Sequence, residues 1–128
     1  GDLGRARELI ETCPPEFAVY SGDDSTAAEL ILMGGHGNVS VTANVAPRLM
    51  ADMCRLALAG AADEARDINK FLSLVHDAMF VESNPIPVKW AVAEMGLMKH
   101  GIRLRLTELS HELKAQVSKA LTLAGLLN

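Results

Sequence analysis

The sequence holds only two cysteines, Cys13 and Cys54, far apart and in no C-x-x-C pair. They read as reduced, buried thiols of a cytoplasmic protein, with no disulfide framework. No apolar run approaches the roughly 20 residues that a membrane span needs, and no signal peptide is visible. A membrane partner is not expected. Positive charge is also scarce: 12 lysines and arginines stand against 16 acidic residues, for a net charge of -4. That leaves no basic patch for nucleic acid. There is no repeat and no low-complexity tract, and a hydrophobic content of 49% describes an ordinary soluble globular chain. Finally there is no initiator Met: Gly1-Asp2-Leu3 runs directly into a helical pattern, as a piece of a longer chain would.

The absences extend to catalytic motifs. His36, His76, His100 and His111 show neither H-E-x-x-H nor H-x-x-x-H spacing, so no zinc site is indicated. Gly34-Gly35-His36-Gly37 lacks the G-x-x-x-x-G-K-[ST] pattern and follows a helix, which argues against a phosphate cradle. No Ser-His-Asp or Cys-His arrangement is apparent, and no lysine falls in or beside either candidate strand end. The residues supply substrate contacts without a nucleophile.

What is present is a mixed α/β order. Leu3, Ala6, Ile10 and Cys13 recur at spacings of three and four, predicting a helix over 3–13 capped by Asp2 and stopped by Pro14-Pro15. The run Phe17–Ser21 reads as a strand covered on both faces, which favours a parallel sheet. A helix over 26–33 follows, with Asp24 or Ser25 as its cap, and Gly34-Gly35 ends it. The β-branched run Asn38–Thr42 predicts the second strand. Beyond Asn44 the pattern is helical. Pro47 opens a helix that ends at Gly60, and a long helix over 61–81 carries Ala65, Ile68, Leu72, Val75 and Met79 on one buried seam. Phe71, Leu74 and Ala78 make a second seam, also expected to be buried. A helix over 88–98 uses Trp90 as its largest anchor, residues 101–106 form an extended connector, and Ser110 caps a last helix. Leu113, Val117, Ala120, Leu121 and Ala124 face inward from that helix.

Two strands joined through a helix make a βαβ unit, and reactive groups gather where such strands end. Ser21, Gly22 and Asp23, with Thr42 to Asn44, are therefore expected to face a substrate. Asp23 and Asp24 form an acidic pair for metal or acid-base work, or more simply a loop carboxylate beside a helix cap. His36, at the opposite end of the strands, reads as a turn residue ahead of a ligand. Two parallel strands cannot close a sheet, so further strands are expected from sequence before Gly1 or from a partner chain.

Ser21-Gly22-Asp23-Asp24, the stretch Gly34 to Val45 and the stretch Asn84 to Ala91 together resemble the C-terminal part of the dihydrodipicolinate synthase family, from Gly1 to Leu127. The resemblance implies the last two strands of a (β/α)8 barrel with their helices over 1–60, then a small all-helical domain over 61–128. It implies a class I aldolase-like lyase in which a lysine forms a Schiff base with pyruvate before condensation with aspartate semialdehyde, in lysine and diaminopimelate biosynthesis. The lysine matches a position before Gly1, so the chain alone is expected to be inactive and to need no cofactor. Val39 matches a residue whose main-chain carbonyl contacts pyruvate, and Gly22 a glycine lining the pocket, where a Cβ would crowd the ligand. Ser21 and Asp23 are outlying substrate contacts. Tyr20 matches no catalytic tyrosine. A homotetramer is implied, with Leu3 and Met33 as interface residues. Two other readings stand beside it: a pyruvate-dependent sugar-acid lyase or aldolase of the same superfamily, and a non-enzymatic helical interaction fragment.

Overall fold

The computed structural model describes residues 1–127. Asp2 accepts the Arg5 amide at 3.0 Å and starts α1 (Leu3–Thr12), whose extended C-cap Cys13 leads into the two prolines. Strand β1 (Tyr20–Ser21), helix α2 (Ala27–Leu32) and strand β2 (Gly37–Asn38) follow as the expected βαβ unit. The strands pair in parallel, Tyr20 with Gly37 and Ser21 with Asn38. Single bonds extend the ladder on either side, from the His36 amide to the Val19 carbonyl at 2.7 Å and from the Val39 amide to the Ser21 carbonyl at 2.8 Å. Gly34, at φ +112°, and Gly35 close α2 as expected. A Cβ on Gly35 would sit 2.8 Å from the Leu30 carbonyl oxygen, so only glycine fits this turn.

Both strands are shorter than their apolar runs. Phe17 and Ala18 lie outside the ladder, and Phe17 and Tyr20 are 56% and 57% exposed. At the other end, Val41 and Thr42 leave the β conformation for a 3-10 turn over Thr42–Asn44. The Ser40 hydroxyl accepts the Ala43 amide at 2.8 Å, and a carboxylate from the first strand's loop takes the two amides before it. One local bond and two from a distant carboxylate thus outcompete the β propensity of Val41 and Thr42.

Pro47 stands at the first position of α3 (Pro47–Leu58), and Gly60, at φ +75°, closes it. The expected long helix is divided at Leu72 into α4 (Ala62–Phe71) and α5 (Ser73–Ala78). Leu72 keeps its bond to the Ile68 carbonyl, but its ψ of -4° tightens the turn and redirects the axis. Of its first seam, Ala65, Leu72, Val75 and Met79 are fully inside as expected, while Ile68 is only half-buried. The second seam is not buried as a whole. Ala78 is buried, whereas Phe71 and Leu74 are each 53% exposed, because α5 packs on the last helix through its Val75 and Ala78 side. Helix α6 (Ile86–Glu94) buries Ile86, Pro87, Val88, Ala91 and Ala93; Trp90 is only half-buried and is not its main anchor. Residues 101–110 form no strand. In α7 (His111–Leu123), Val117, Ala120 and Leu121 turn inward as expected, while Leu113 and the C-cap Ala124 are only half-buried. Its cap Ser110 spends its hydroxyl on Glu82, so only its backbone carbonyl meets the helix, accepting the Leu113 amide at 3.0 Å.

The largest apolar cluster joins Ala27, Val45, Met50 and Met53 to Leu72, Val75, Met79, Val117 and Leu121, so it draws on both sides of Gly60. A smaller cluster of Ala6, Val19 and Leu30 holds α1 against the strand pair, with Leu3 and Met33 at its edge. Both cysteines are free and half-buried, short of the full burial expected, and burial pushes the Cys54 thiol up. Among the described residues, no helix is long and apolar enough to cross a membrane.

Candidate functional site at the strand ends

Parallel pairing brings Ser21, Gly22 and Asp23 to one end of the sheet beside Val39, the residue that the family resemblance had singled out. Ser21 is buried and folds back on its own loop: its hydroxyl donates to the Asp23 carbonyl at 2.8 Å and accepts the Asp23 amide at 3.1 Å. Gly22 faces outward, and a Cβ there would meet nothing within 4 Å. Gly22 borders an open cleft of about 280 Å³ shared with Tyr20, Ser21, Arg5 and Thr26. Val39 is 73% exposed, and its amide donates to the carbonyl of Ser21, the residue before Gly22.

The two aspartates have separate tasks. Asp23 caps α2: one carboxylate oxygen accepts the Ser25 hydroxyl at 2.7 Å and the Thr26 amide and hydroxyl at 3.0 Å. The Ser25 bond, with those from Thr26, holds this carboxyl below the ordinary carboxylate range against the opposing effect of burial. The capping role expected of Asp24 or Ser25 thus falls to its neighbour. Asp24 is 2% exposed and reaches across to the second strand, accepting the Asn38 side-chain amide at 2.8 Å and the backbone amides of Val41 at 3.0 Å and Thr42 at 2.9 Å.

Thr42 was expected to face a substrate, but it is fully buried. Its amide is held by Asp24, and its hydroxyl shares a 2.8 Å hydrogen bond with Nδ1 of His76 on α5, a residue that reading the sequence left unassigned. Burial pushes the His76 imidazole below its ordinary value, more than the carboxylates of Asp24, Asp77 and Asp23 raise it, so the ring is neutral near pH 7. Its other nitrogen is buried without a partner among the described residues. Asn44 is exposed and donates its side-chain amide to the Val41 carbonyl at 2.9 Å. A sequence signal for the buried pair did exist, since His76 follows Val75 directly on the apolar seam. Nothing local said which residue it would meet.

His36 keeps to the opposite end of the strands. Its Nδ1 accepts the Val19 amide at 3.0 Å while its own amide donates to Val19, which makes it part of the scaffold. No three His, Cys, Asp or Glu side chains converge as metal ligands among the described residues. Lys89 of α6 lines a groove with Ser40, Val41 and Asn44, a lysine near the second strand's exit that sequence spacing did not reveal.

Residues 1–124 match the Dihydrodipicolinate synthetase family. A 4-hydroxy-tetrahydrodipicolinate synthase of Cellvibrio japonicus is 64% identical over 126 residues, and one of Pseudomonas aeruginosa is 57% identical over 127. These alignments cover 98% and 99% of this chain, which spans 43% and 44% of those relatives. Among solved structures, a chloride-inhibited dihydrodipicolinate synthase of Acinetobacter baumannii complexed with pyruvate matches with a TM-score of 0.96 at 47% identity, covering 98% of this chain and 43% of that one. The enzyme of Aquifex aeolicus matches with a TM-score of 0.94 at 35% identity, covering 98% of this chain and 43% of its own. With so much of its length matched in sequence and in backbone, the chain belongs to the dihydrodipicolinate synthetase family.

Proposed function

We propose that this chain is the C-terminal portion of a 4-hydroxy-tetrahydrodipicolinate synthase, in which pyruvate condenses with aspartate semialdehyde on the way to diaminopimelate and lysine. The observation that carries this reading is the close match to the Acinetobacter baumannii enzyme complexed with pyruvate. In the proposed reaction a lysine outside this chain attacks the ketone of pyruvate and loses water to form an imine. The cationic imine acidifies the adjacent methyl group, and the resulting enamine attacks the aldehyde. Val39 would offer its main-chain carbonyl to the keto acid. Gly22 would keep a side chain out of its way, and Ser21 and Asp23 would shape the loop behind.

The same reading makes β1 and β2 the last two strands of a (β/α)8 barrel over 1–60, with a helical domain over 61–128. The exposed Tyr20 of β1 supports it, since barrel strands bury both faces. A cytoplasmic homotetramer with Leu3 and Met33 at an interface belongs to the proposal as well. Assembly is not uniform among relatives: a monomeric dihydrodipicolinate synthase variant matches with a TM-score of 0.92 at 32% identity, covering 97% of this chain and 42% of its own.

The test joins this chain to the complementary preceding part of the Cellvibrio japonicus relative. Incubation with pyruvate and borohydride is expected to give one pyruvyl adduct on a lysine outside residues 1–127, and aspartate semialdehyde is expected to be consumed. The chain alone is expected to give no adduct. An adduct on Lys89 of the isolated chain, or none in the joined protein, would overturn the proposal. Turnover with a sugar acid in place of aspartate semialdehyde would move the chain to the lyase reading.

A further inference from the structure

We infer that Asp24 is the positioning residue of this site: its buried carboxylate clamps the exit of β2, and so fixes the peptide through which Val39 meets a keto acid. This rests on the proposed function above. The three donors it accepts, from Asn38, Val41 and Thr42, lie on either side of Val39. Within the intervening stretch, the Val39 amide donates to the Ser21 carbonyl and the Ser40 hydroxyl accepts the Ala43 amide. With its amide tied to Ser21 and both flanks tied to Asp24, the Val39 peptide has little freedom to tilt.

The geometry divides the work between the two carboxylate oxygens. Oδ1 accepts the Asn38 side chain, and Oδ2 accepts both backbone amides. A carboxylate is required because an acceptor is needed on both sides; an amide would present a donor to one of them. Asp24 thus acts at a distance, by holding backbone, and touches no reacting atom.

This division makes the inference testable in the joined protein. Asp24→Asn keeps an oxygen for Val41 and Thr42 but sets its amide against that of Asn38. The KM for pyruvate is expected to rise on the order of tenfold while kcat changes little, since small misplacements of a binding group carry such costs. Asn38→Asp added to Asp24→Asn restores a donor-acceptor pair with the roles exchanged, and is expected to recover most of the lost affinity. Asn38→Ala, which removes one arm only, gives a smaller rise and serves if Asp24→Asn does not fold. Val45→Ala, a core truncation matched by melting temperature, controls for stability alone. Hydrogen exchange at the Val41 and Thr42 amides, expected to quicken in Asp24→Asn and not in Val45→Ala, reads the clamp directly. Pyruvate trapping by the unsubstituted protein combined with a KM no higher than that of Val45→Ala, or no recovery in the double variant, overturns this inference alone. Absence of trapping in the unsubstituted protein overturns the proposed function, and this inference with it.

Discussion

Leu72→Ala is expected to lower the stability of the chain by about 3 kcal/mol, within the range of roughly 2–5 kcal/mol measured for leucine truncations in cores. Leu72 is fully buried at the joint between α4 and α5, where its side chain packs into the main cluster. The loss combines removal of apolar surface from a dry environment with a cavity that the surroundings fill poorly. Relaxation is limited here because Met53, Val75 and Leu121 come from three different helices that would have to move together. Urea titration followed by circular dichroism checks it. A loss below about 1 kcal/mol would show that the joint closes freely around the gap. Phe71→Ala, one residue away but exposed, is the contrast and should cost little.

The second large effect concerns the buried Thr42–His76 pair. Thr42→Val preserves shape but leaves the imidazole Nδ1 buried without a partner, at a cost of about 1–3 kcal/mol. The same pair makes the fold acid-sensitive. Burial lowers the folded-state pKa of His76, so as pH falls below the ordinary value of 6.5 the unfolded chain takes up a proton that the folded chain refuses. The unfolded state then binds more protons, and stability declines from pH 6.5 downward toward the folded-state value. Asp24, Asp77 and Asp23 moderate the effect by favouring the cation. Denaturation midpoints of the chain and of His76→Gln, compared at pH 7.5 and 5.5, are expected to converge at the lower pH. Parallel curves would mean that His76 titrates normally.

The contrast between what could and could not be read from the residues follows sequence separation. Asp2, Pro14, Gly34 and Pro47 act on their own neighbours, and each ended or began a helix where expected. The parallel pair was legible for the same reason: two β-branched or apolar runs flanking one helix have few ways to meet. The failures are long-range. Thr42 looks like a strand residue until a carboxylate 18 positions earlier takes its amide. Asp23 and Asp24 are adjacent and chemically identical, and only the direction of the loop sends one to the helix start and the other across the sheet. Phe71 and Leu74 carry the period of a second buried seam, yet the described residues leave each of them 53% exposed. Periodicity reports which face is apolar, while the partner for that face is decided elsewhere.

The Thr42–His76 bond also has a temporal meaning. Its two ends are 34 residues apart, and the carboxylate that orients Thr42 is made before either of them. On a ribosome adding roughly 5–20 residues per second, the hydroxyl is synthesised about 2–7 s before its imidazole. Until α5 emerges, the exit of β2 has its acidic clamp but no roof, and the apolar side of Val45, Met50 and Met53 has Ala27 and Ala28 to lie against but not yet Val75 and Met79. The order of synthesis thus places the strand ends first and their cover last, so the nascent chain must hold an unfinished surface in water while the helices that close it are still being made.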